Sequence, residues 1–280
     1  MNREAAIKIC LSLILFLGIF LRMYNLSTES IWYDEAASIH LASSNPADLV
    51  QGKVRDIGNP PFHTIILHYW IRIFGDGELA VRSLSVIFGV LSLFLIYKIA
   101  RQLLNTRIAL LSAFIFAISP LHVYKAQEAR TYTLVTFLCL ASMFLFIKFI
   151  KNNRALFQIG YIIVSFLSIY SHYFAFFILM AQNIFLAINW KRYKRSLNKW
   201  IIAQASIFLL YLAFWLPSLI SQVGIKGNLG RYETTWLKHV LFTPVFYSIG
   251  RTLIWDDSPT IKILIYLPLV LLIFGIPFIL

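Results

Sequence analysis

The sequence predicts an all-α polytopic membrane protein: a bundle of transmembrane helices whose long first outer loop carries interfacial helices. Three observations lead there. Apolar residues make up 59% of the 280 positions and charged ones only 13%, with a mean hydropathy of +0.75, whereas a soluble domain carries about 25% charged residues. Several apolar runs reach the roughly 17–25 residues that a bilayer-spanning helix needs. The charges that remain are sorted by sign along the chain. Aromatic residues, at 16%, suit interfacial belts. Cys10 and Cys139 both fall within apolar runs, which argues against a disulfide framework or a zinc site. There is no low-complexity tract and no short internal repeat.

Taken in order, the first run is Ala5–Met23. Its charged start imitates a signal peptide, but it lacks a small-residue cleavage site and further runs follow, so it is read as a retained first helix. Further spans are expected at Arg82–Ala100, Ile108–Val123, Thr131–Phe149, Ala155–Ser171, Tyr173–Trp190, Trp200–Ile220 and Ile261–Leu280. The segment Pro61–Phe74 is apolar but short, and it holds His63, His68 and Arg72. Runs of about 10–14 residues lie in the interface or re-enter more often than they span. Pro60-Pro61 suits the first turn of such a helix.

Charge decides that choice. With Pro61–Phe74 in the interface, three basic clusters share one side: Lys98/Arg101/Arg107, Lys148/Lys151/Arg154 and Lys191/Arg192/Lys194/Arg195/Lys199. Together with Arg3 and Lys8, that side holds thirteen basic residues against one acid, Glu4, while the other holds twelve against eleven. This is a positive-inside pattern, so the basic side is read as cytoplasmic. The expected location is the inner membrane of a prokaryote, with the site facing outward. The net charge of +13 therefore belongs to topology anchors, with contact to anionic lipid as a secondary reading of the 191–199 run; nucleic acid is remote.

The organisation expected is one transmembrane domain over residues 1–280, with outer loops at 24–81 and 221–260. The second of these contains Gly224, Gly227 and Gly230 and an unplaced apolar stretch, Val240–Ile254. The chain ends inside an apolar run without a basic stop, which suggests truncation of a longer protein.

Three outer loops supply a chemical constellation: Asp34 and Glu35; Glu128 and Arg130; and His172 in the turn Ser171-His172-Tyr173. Carboxylates act as general bases toward hydroxyls or as metal ligands. An arginine grips phosphate oxygens bidentately, and Lys125 adds a point charge. With Trp32, Tyr33 and Tyr132 as an aromatic wall, the set suits a lipid-phosphate substrate, although spacing alone does not establish it. Read in isolation, Asp34/Glu35 is a solvated pair at a helix start, Glu128/Arg130 an interfacial ion pair, and His172 a hydrogen-bonded turn residue. His63 and His68, five apart, share no helical face for a metal.

The string Ile31-Trp32-Tyr33-Asp34-Glu35-Ala36-Ala37-Ser38-Ile39 resembles the first-loop motif of family 39 glycosyltransferases. These are GT-C-type membrane enzymes that include protein O-mannosyltransferases, lipid A aminoarabinose transferases and related bacterial mannosyltransferase-like proteins. Further blocks match in the same order: Asn59-Pro60-Pro61-Phe62 with His68, Arg82-Ser83-Leu84-Ser85 with Phe88-Gly89, Ser119-Pro120 through Gln127-Glu128-Ala129-Arg130-Thr131-Tyr132, and Tyr170-Ser171-His172-Tyr173-Phe174. The likeness covers residues 20–190, with His63 departing from an expected tyrosine.

The resemblance implies a GT-C-like helix bundle and transfer of a sugar from a polyprenyl-phosphate carrier to a hydroxyl of a lipid, glycan or protein acceptor, with inversion. Asp34 matches the family's proposed base. Glu35 would position it or help raise its pKa, since adjacent like charges disfavour ionisation of both together, and Glu35 and Glu128 join the catalytic set. Arg130 with Lys125 or Arg82 would stabilise the departing phosphate; Trp32, Tyr33, Tyr132 and His172 complete the substrate-binding set. A divalent cation shared by Asp34 and Glu128 stays open, and no other cofactor is implied. The competing readings are a transporter or flippase for the lipid carrier, and a non-catalytic truncated homologue.

Overall fold

Asparagine side chains open three of the eleven helices seen among the described residues. The computed structural model describes residues 2–54 and 59–223, with side chains through Phe214. Asn2 caps α1 (Arg3–Met23) by accepting from the Glu4 N–H. Asn45 does the same for α3 (Pro46–Val50), with proline at the first helical position, and Asn105 for α6 (Thr106–Ile118). Between and beyond them lie α2 (Tyr33–Ala42), α4 (Phe62–Phe74), α5 (Glu78–Leu103), α7 (Pro120–Ala126), α8 (Tyr132–Asn152), α9 (Ala155–Ile169), α10 (Phe176–Ile188) and α11 (Leu197–Val223). Short 3₁₀ turns at Tyr173–Ala175 and Lys194–Ser196 lead into the last two. No strand forms among the described residues, and the all-α membrane class holds.

Among the described residues four helical segments are long and apolar enough to cross a bilayer: Arg3–Met23, Glu78–Leu103, Tyr132–Asn152 and Lys194–Phe214. The expected single span at Ile108–Val123 is broken instead. α6 and α7 meet at 59°, because Pro120 offers no N–H to α6 and drives Ser119 out of the helical region, to ψ 115°. α9 and the segment Tyr173–Ile188 are apolar but shorter than the spans expected there. α4 has 13 residues, about 20 Å of helix, too few to cross about 30 Å of hydrocarbon. The expected span Ile261–Leu280 and the loop segment 224–260 lie outside the described residues.

Small residues let the helices approach. Ala109, Ala113 and Ala117 form a fully buried stripe on α6 that meets Leu93 and Tyr97 of α5. Gly89 of α5 lies so close to α7 that a Cβ there would stand 3.2 Å from Ala126 Cβ and 3.2 Å from Arg22 Nε. A second core joins α8, α9, α10 and α11 around Phe146, Phe149, Tyr161 and Trp200. Polar bonds run through it: Ser142 pairs with Ser165 at 2.8 Å, Tyr161 donates to Gln182 at 2.8 Å, and Gln204 donates to Tyr161 at 3.0 Å. By contrast α1 turns Leu13 and Phe16 outward, which suits a lipid-facing helix.

The helices sort the charges. α1 ends, α5 begins and α8 begins at one end of the bundle, where Gln127 donates to the carbonyls of Leu21 and Tyr24 and Ser85 donates to that of Arg130. The basic clusters around Arg101, Lys151 and Arg192 sit at the far ends of these helices, with Lys151 and Arg192 lining one cavity there.

Candidate active site

The short α2 is positioned by a buried ion pair. Glu35, at its third position, is fully buried, and the Arg82 guanidinium from α5 meets it bidentately, Nε to Oε1 at 2.9 Å and Nη2 to Oε2 at 2.8 Å. The Ala129 N–H donates to Oε1 at 2.7 Å, and the Trp32 N–H reaches Oε2 at 3.4 Å, half of a capping box. Arg82 spends its remaining N–H groups on the carbonyls of Leu26, Glu29 and Ser30. Burial pushes the Glu35 carboxyl up. Hydrogen bonds from Arg82 and Ala129, with the guanidinium charge, outweigh it and hold the group below the ordinary carboxylate range.

Residues 127–131 then tie this scaffold together. Gln127 closes the end of α1, Glu128 pairs with Lys125 at 2.8 Å, and the Ala129 N–H holds Glu35. Arg130 donates to the backbone carbonyl of Asp34 at 3.1 Å and to Ser38 Oγ at 2.8 Å. The Thr131 hydroxyl reaches the Ser171 carbonyl at 3.3 Å, and the Phe62 N–H donates to that of Tyr170. α2, the start of α4, the 127–131 segment and the 170–174 turn are therefore one assembly. Asp34 is left half-buried at its edge, and among the described residues no ion pair takes its carboxylate.

Beside this assembly lies a cavity of about 550 Å³, walled by Lys125, Tyr132, His172, His122, Phe116 and Phe174, among others. Lys125 Nζ stands 4.5 Å from the Tyr132 ring centroid and 4.9 Å from that of Tyr124, so its charge is held by Glu128 on one side and aromatic faces on the others. His172 accepts the Phe174 N–H at Nδ1, which fixes the turn. His122 is fixed from behind: the buried Arg22 of α1 approaches its Nδ1 at 3.0 Å while bonding the carbonyls of Gly18, Phe116 and Ala117. Arginine only donates, so Nδ1 accepts and the neutral ring carries its proton on Nε2.

Residues 58–220, more than half of the chain, match the dolichyl-phosphate-mannose-protein mannosyltransferase family. The chain belongs to that family. It is 27% identical over 208 residues to an uncharacterized protein of Aquifex aeolicus, covering 71% of this chain and 41% of that one. It is 40% identical over 94 residues to dolichyl-phosphooligosaccharide-protein glycotransferase 1 of Archaeoglobus fulgidus, covering 32% of this chain and 16% of that one. The structure superposes on the S. cerevisiae protein O-mannosyltransferase Pmt1-Pmt2 complex bound to the sugar donor, with a TM-score of 0.57 and 18% identity over 89% of this chain and 35% of that one. That likeness shows the GT-C fold. The chain spans less than half the length of each of these relatives.

In this mannosyltransferase-family member the expected site residues fall into three groups. Lys125, Tyr132 and His172 line the cavity. Asp34, Glu128 and Arg130 belong to the adjoining assembly rather than to the cavity wall, and Trp32 and Tyr33 are exposed beside them, Tyr33 at 85%. Glu35 and Arg82 correct the sequence reading. All five N–H groups of Arg82 are engaged and its side chain is 5% exposed, so it has no donor for a phosphate. Glu35 is enclosed by the same contacts and fully buried, so its carboxylate has no open face toward a substrate. The shared cation also meets an obstacle, because the Lys125 ammonium already contacts both Glu128 oxygens. Among the described residues no three His, Cys, Asp or Glu side chains gather as a metal site. Sequence reasoning missed Arg22 and His122. The available signal was a lone charge inside an apolar run, which in a membrane calls for a named partner.

Proposed function

We propose that this protein is a membrane glycosyltransferase that takes a sugar from a polyprenyl-phosphate carrier and places it on an acceptor hydroxyl, with Asp34 as base. The observation that carries the reading is the pairing of a braced, half-exposed Asp34 with a neighbouring cavity whose cation, Lys125, is set among aromatic faces. The acceptor oxygen attacks the anomeric carbon and its proton passes to the Asp34 carboxylate. The bond from that carbon to the phosphate oxygen breaks, and the phosphate leaves with the electron pair. Attack opposite the leaving group inverts the centre.

A polyprenyl phosphate leaves readily, so positive charge at its oxygens replaces a dedicated acid. Lys125 supplies that charge, with the His172 and Tyr132 rings flanking the same space. Glu128 keeps Lys125 in place, and Arg130 and Glu35 hold the turn that carries Asp34. In this reading the basic end of the bundle lies in the cytoplasm by the positive-inside rule, and the chemistry faces outward.

The test is transfer from mannosyl-phosphoryl-polyprenol in proteoliposomes. Asp34→Asn abolishes turnover, by at least the roughly 10²–10⁴-fold that a general base contributes, and leaves thermal stability unchanged. Undiminished turnover in that variant overturns the assignment. Lys125→Met weakens both donor affinity and kcat, since its charge meets the phosphate before and during departure; an unchanged KM and kcat would remove Lys125 from the site.

A further inference from the structure

The geometry points to a second binding site, for the phosphate of an anionic phospholipid headgroup, at the end of the bundle remote from Asp34. It lies between the end of α8 and the 191–196 connection. There a cavity of about 650 Å³ is lined by Lys151, Asn152, Asn153, Arg192, Tyr193 and Arg195, among others. Three cations share this space, and among the described residues no carboxylate pairs with any of them. Like charges converge here without compensation, which an anion would relieve.

The cavity is built by the fold. Asn153 takes a left-handed conformation, φ 51°, and its N–H closes α8 on the Phe149 carbonyl. Its own carbonyl accepts from Lys199 Nζ at 2.9 Å, and Gln158 donates to the Lys199 carbonyl at 3.0 Å, which locks α8, α9 and α11 together beneath the cavity. The Asn153 side-chain oxygen is shielded and has no partner among the described residues, an unmet acceptor in the cavity's wall. Arg192 is steadied over the Tyr193 ring at 5.8 Å.

Position selects a lipid as the source of the phosphate. α8 starts at the active-site cavity with Tyr132 and ends at this one with Asn152; its 21 residues make about 30 Å, the thickness of a bilayer's hydrocarbon core. Leu156, Ile188 and Trp190, close in sequence to the cavity-lining segments, are exposed and suit acyl chains and the interface. Basic pockets at such helix ends take anionic headgroups. The two arginines and Lys151 would bond the phosphodiester.

The test is native mass spectrometry of the whole chain in neutral detergent, titrated with dioleoylphosphatidylglycerol. The expected result is one saturable adduct, held at least about tenfold more tightly than dioleoylphosphatidylcholine. R192Q/R195Q weakens it by about tenfold or more, because each cation near an anionic surface contributes measurably. K98Q/R101Q removes equal charge from the same end but outside the cavity and leaves the adduct within about twofold of the original. Equal weakening by both double variants would reduce the site to diffuse surface charge and overturn the proposal. So would phosphatidylcholine binding as tightly, or inorganic phosphate displacing the lipid at millimolar concentration, which would assign the cavity to a soluble anion. Arg101, Arg192 and Arg195 are exposed and Lys98 is part-buried against the Phe94 ring, so thermal melts of both double variants are recorded beside wild type and binding is compared at matched stability.

Discussion

At the scale of single residues, the Glu35–Arg82 pair shows how a membrane protein of this family holds a fully buried acid. Two opposite charges buried together contribute little net stability, yet removing one strands the other. Glu35→Ala should therefore destabilise the fold by about 3–5 kcal/mol, and Glu35→Leu with Arg82→Met by clearly less than the two single changes summed. The measurement is a double-mutant cycle of thermal unfolding in detergent. The pair also gives a pH signature. Because the folded-state carboxyl is held below its ordinary value of 4.5, the unfolded state binds the proton first. The pair's stabilisation is complete above about pH 5 and is lost as pH falls through the lower folded value. The difference in melting temperature between wild type and the double variant should be flat from pH 8 to about 5 and shift against the wild type below that. A difference that stays constant into acid would disprove the linkage.

At the scale of elements, the polar bonds inside the α8–α11 core replace a driving force that lipid cannot supply. Lipid tails are as apolar as leucine, so the helices gain from interhelical hydrogen bonds and close packing. Tyr161→Phe leaves Gln182 Oε1 without its donor and Gln204 Nε2 without its acceptor. The expected loss is about 0.6–1.7 kcal/mol in detergent unfolding, with turnover at Asp34 preserved. No measurable loss would show that the glutamines find other partners.

Such elements also mark what could be read from the chain beforehand. Apolar runs and charge order located α1, α5 and α8, because length and hydropathy alone decide whether a helix can span. The Ser119-Pro120 break was visible as a dipeptide, yet its consequence depends on whether neighbours satisfy the freed carbonyls. Arg22 does so for Phe116 and Ala117, across 94 and 95 residues of sequence, a distance no local pattern encodes. The site divides in the same way. Family blocks flagged Asp34, Glu35, Glu128 and Arg130 as a group, but only the fold separates the enclosed Glu35 and Arg82 from Lys125, Tyr132 and His172 on the cavity wall.

At the scale of the whole molecule, charge asymmetry becomes a statement about orientation. The starts of α5 and α8 carry the Asp34 assembly, and their far ends carry Arg101 and Lys151, about a bilayer's thickness away. Moving Lys or Arg out through the membrane is disfavoured during insertion, so the orientation we propose keeps the basic end in the cytoplasm and turns Asp34 outward. The two native thiols permit a direct test once Cys10 and Cys139 are replaced by serine. A cysteine in place of Lys53, whose side chain is 64% exposed in the first loop, should react with a membrane-impermeant maleimide in intact cells. A cysteine in place of Lys194, in the basic 191–199 run, should react only after permeabilisation. The reverse labelling would turn the chemistry to the cytoplasmic face and demand a donor presented there. Labelling of both sites from outside would mean that the basic clusters do not set the topology at all.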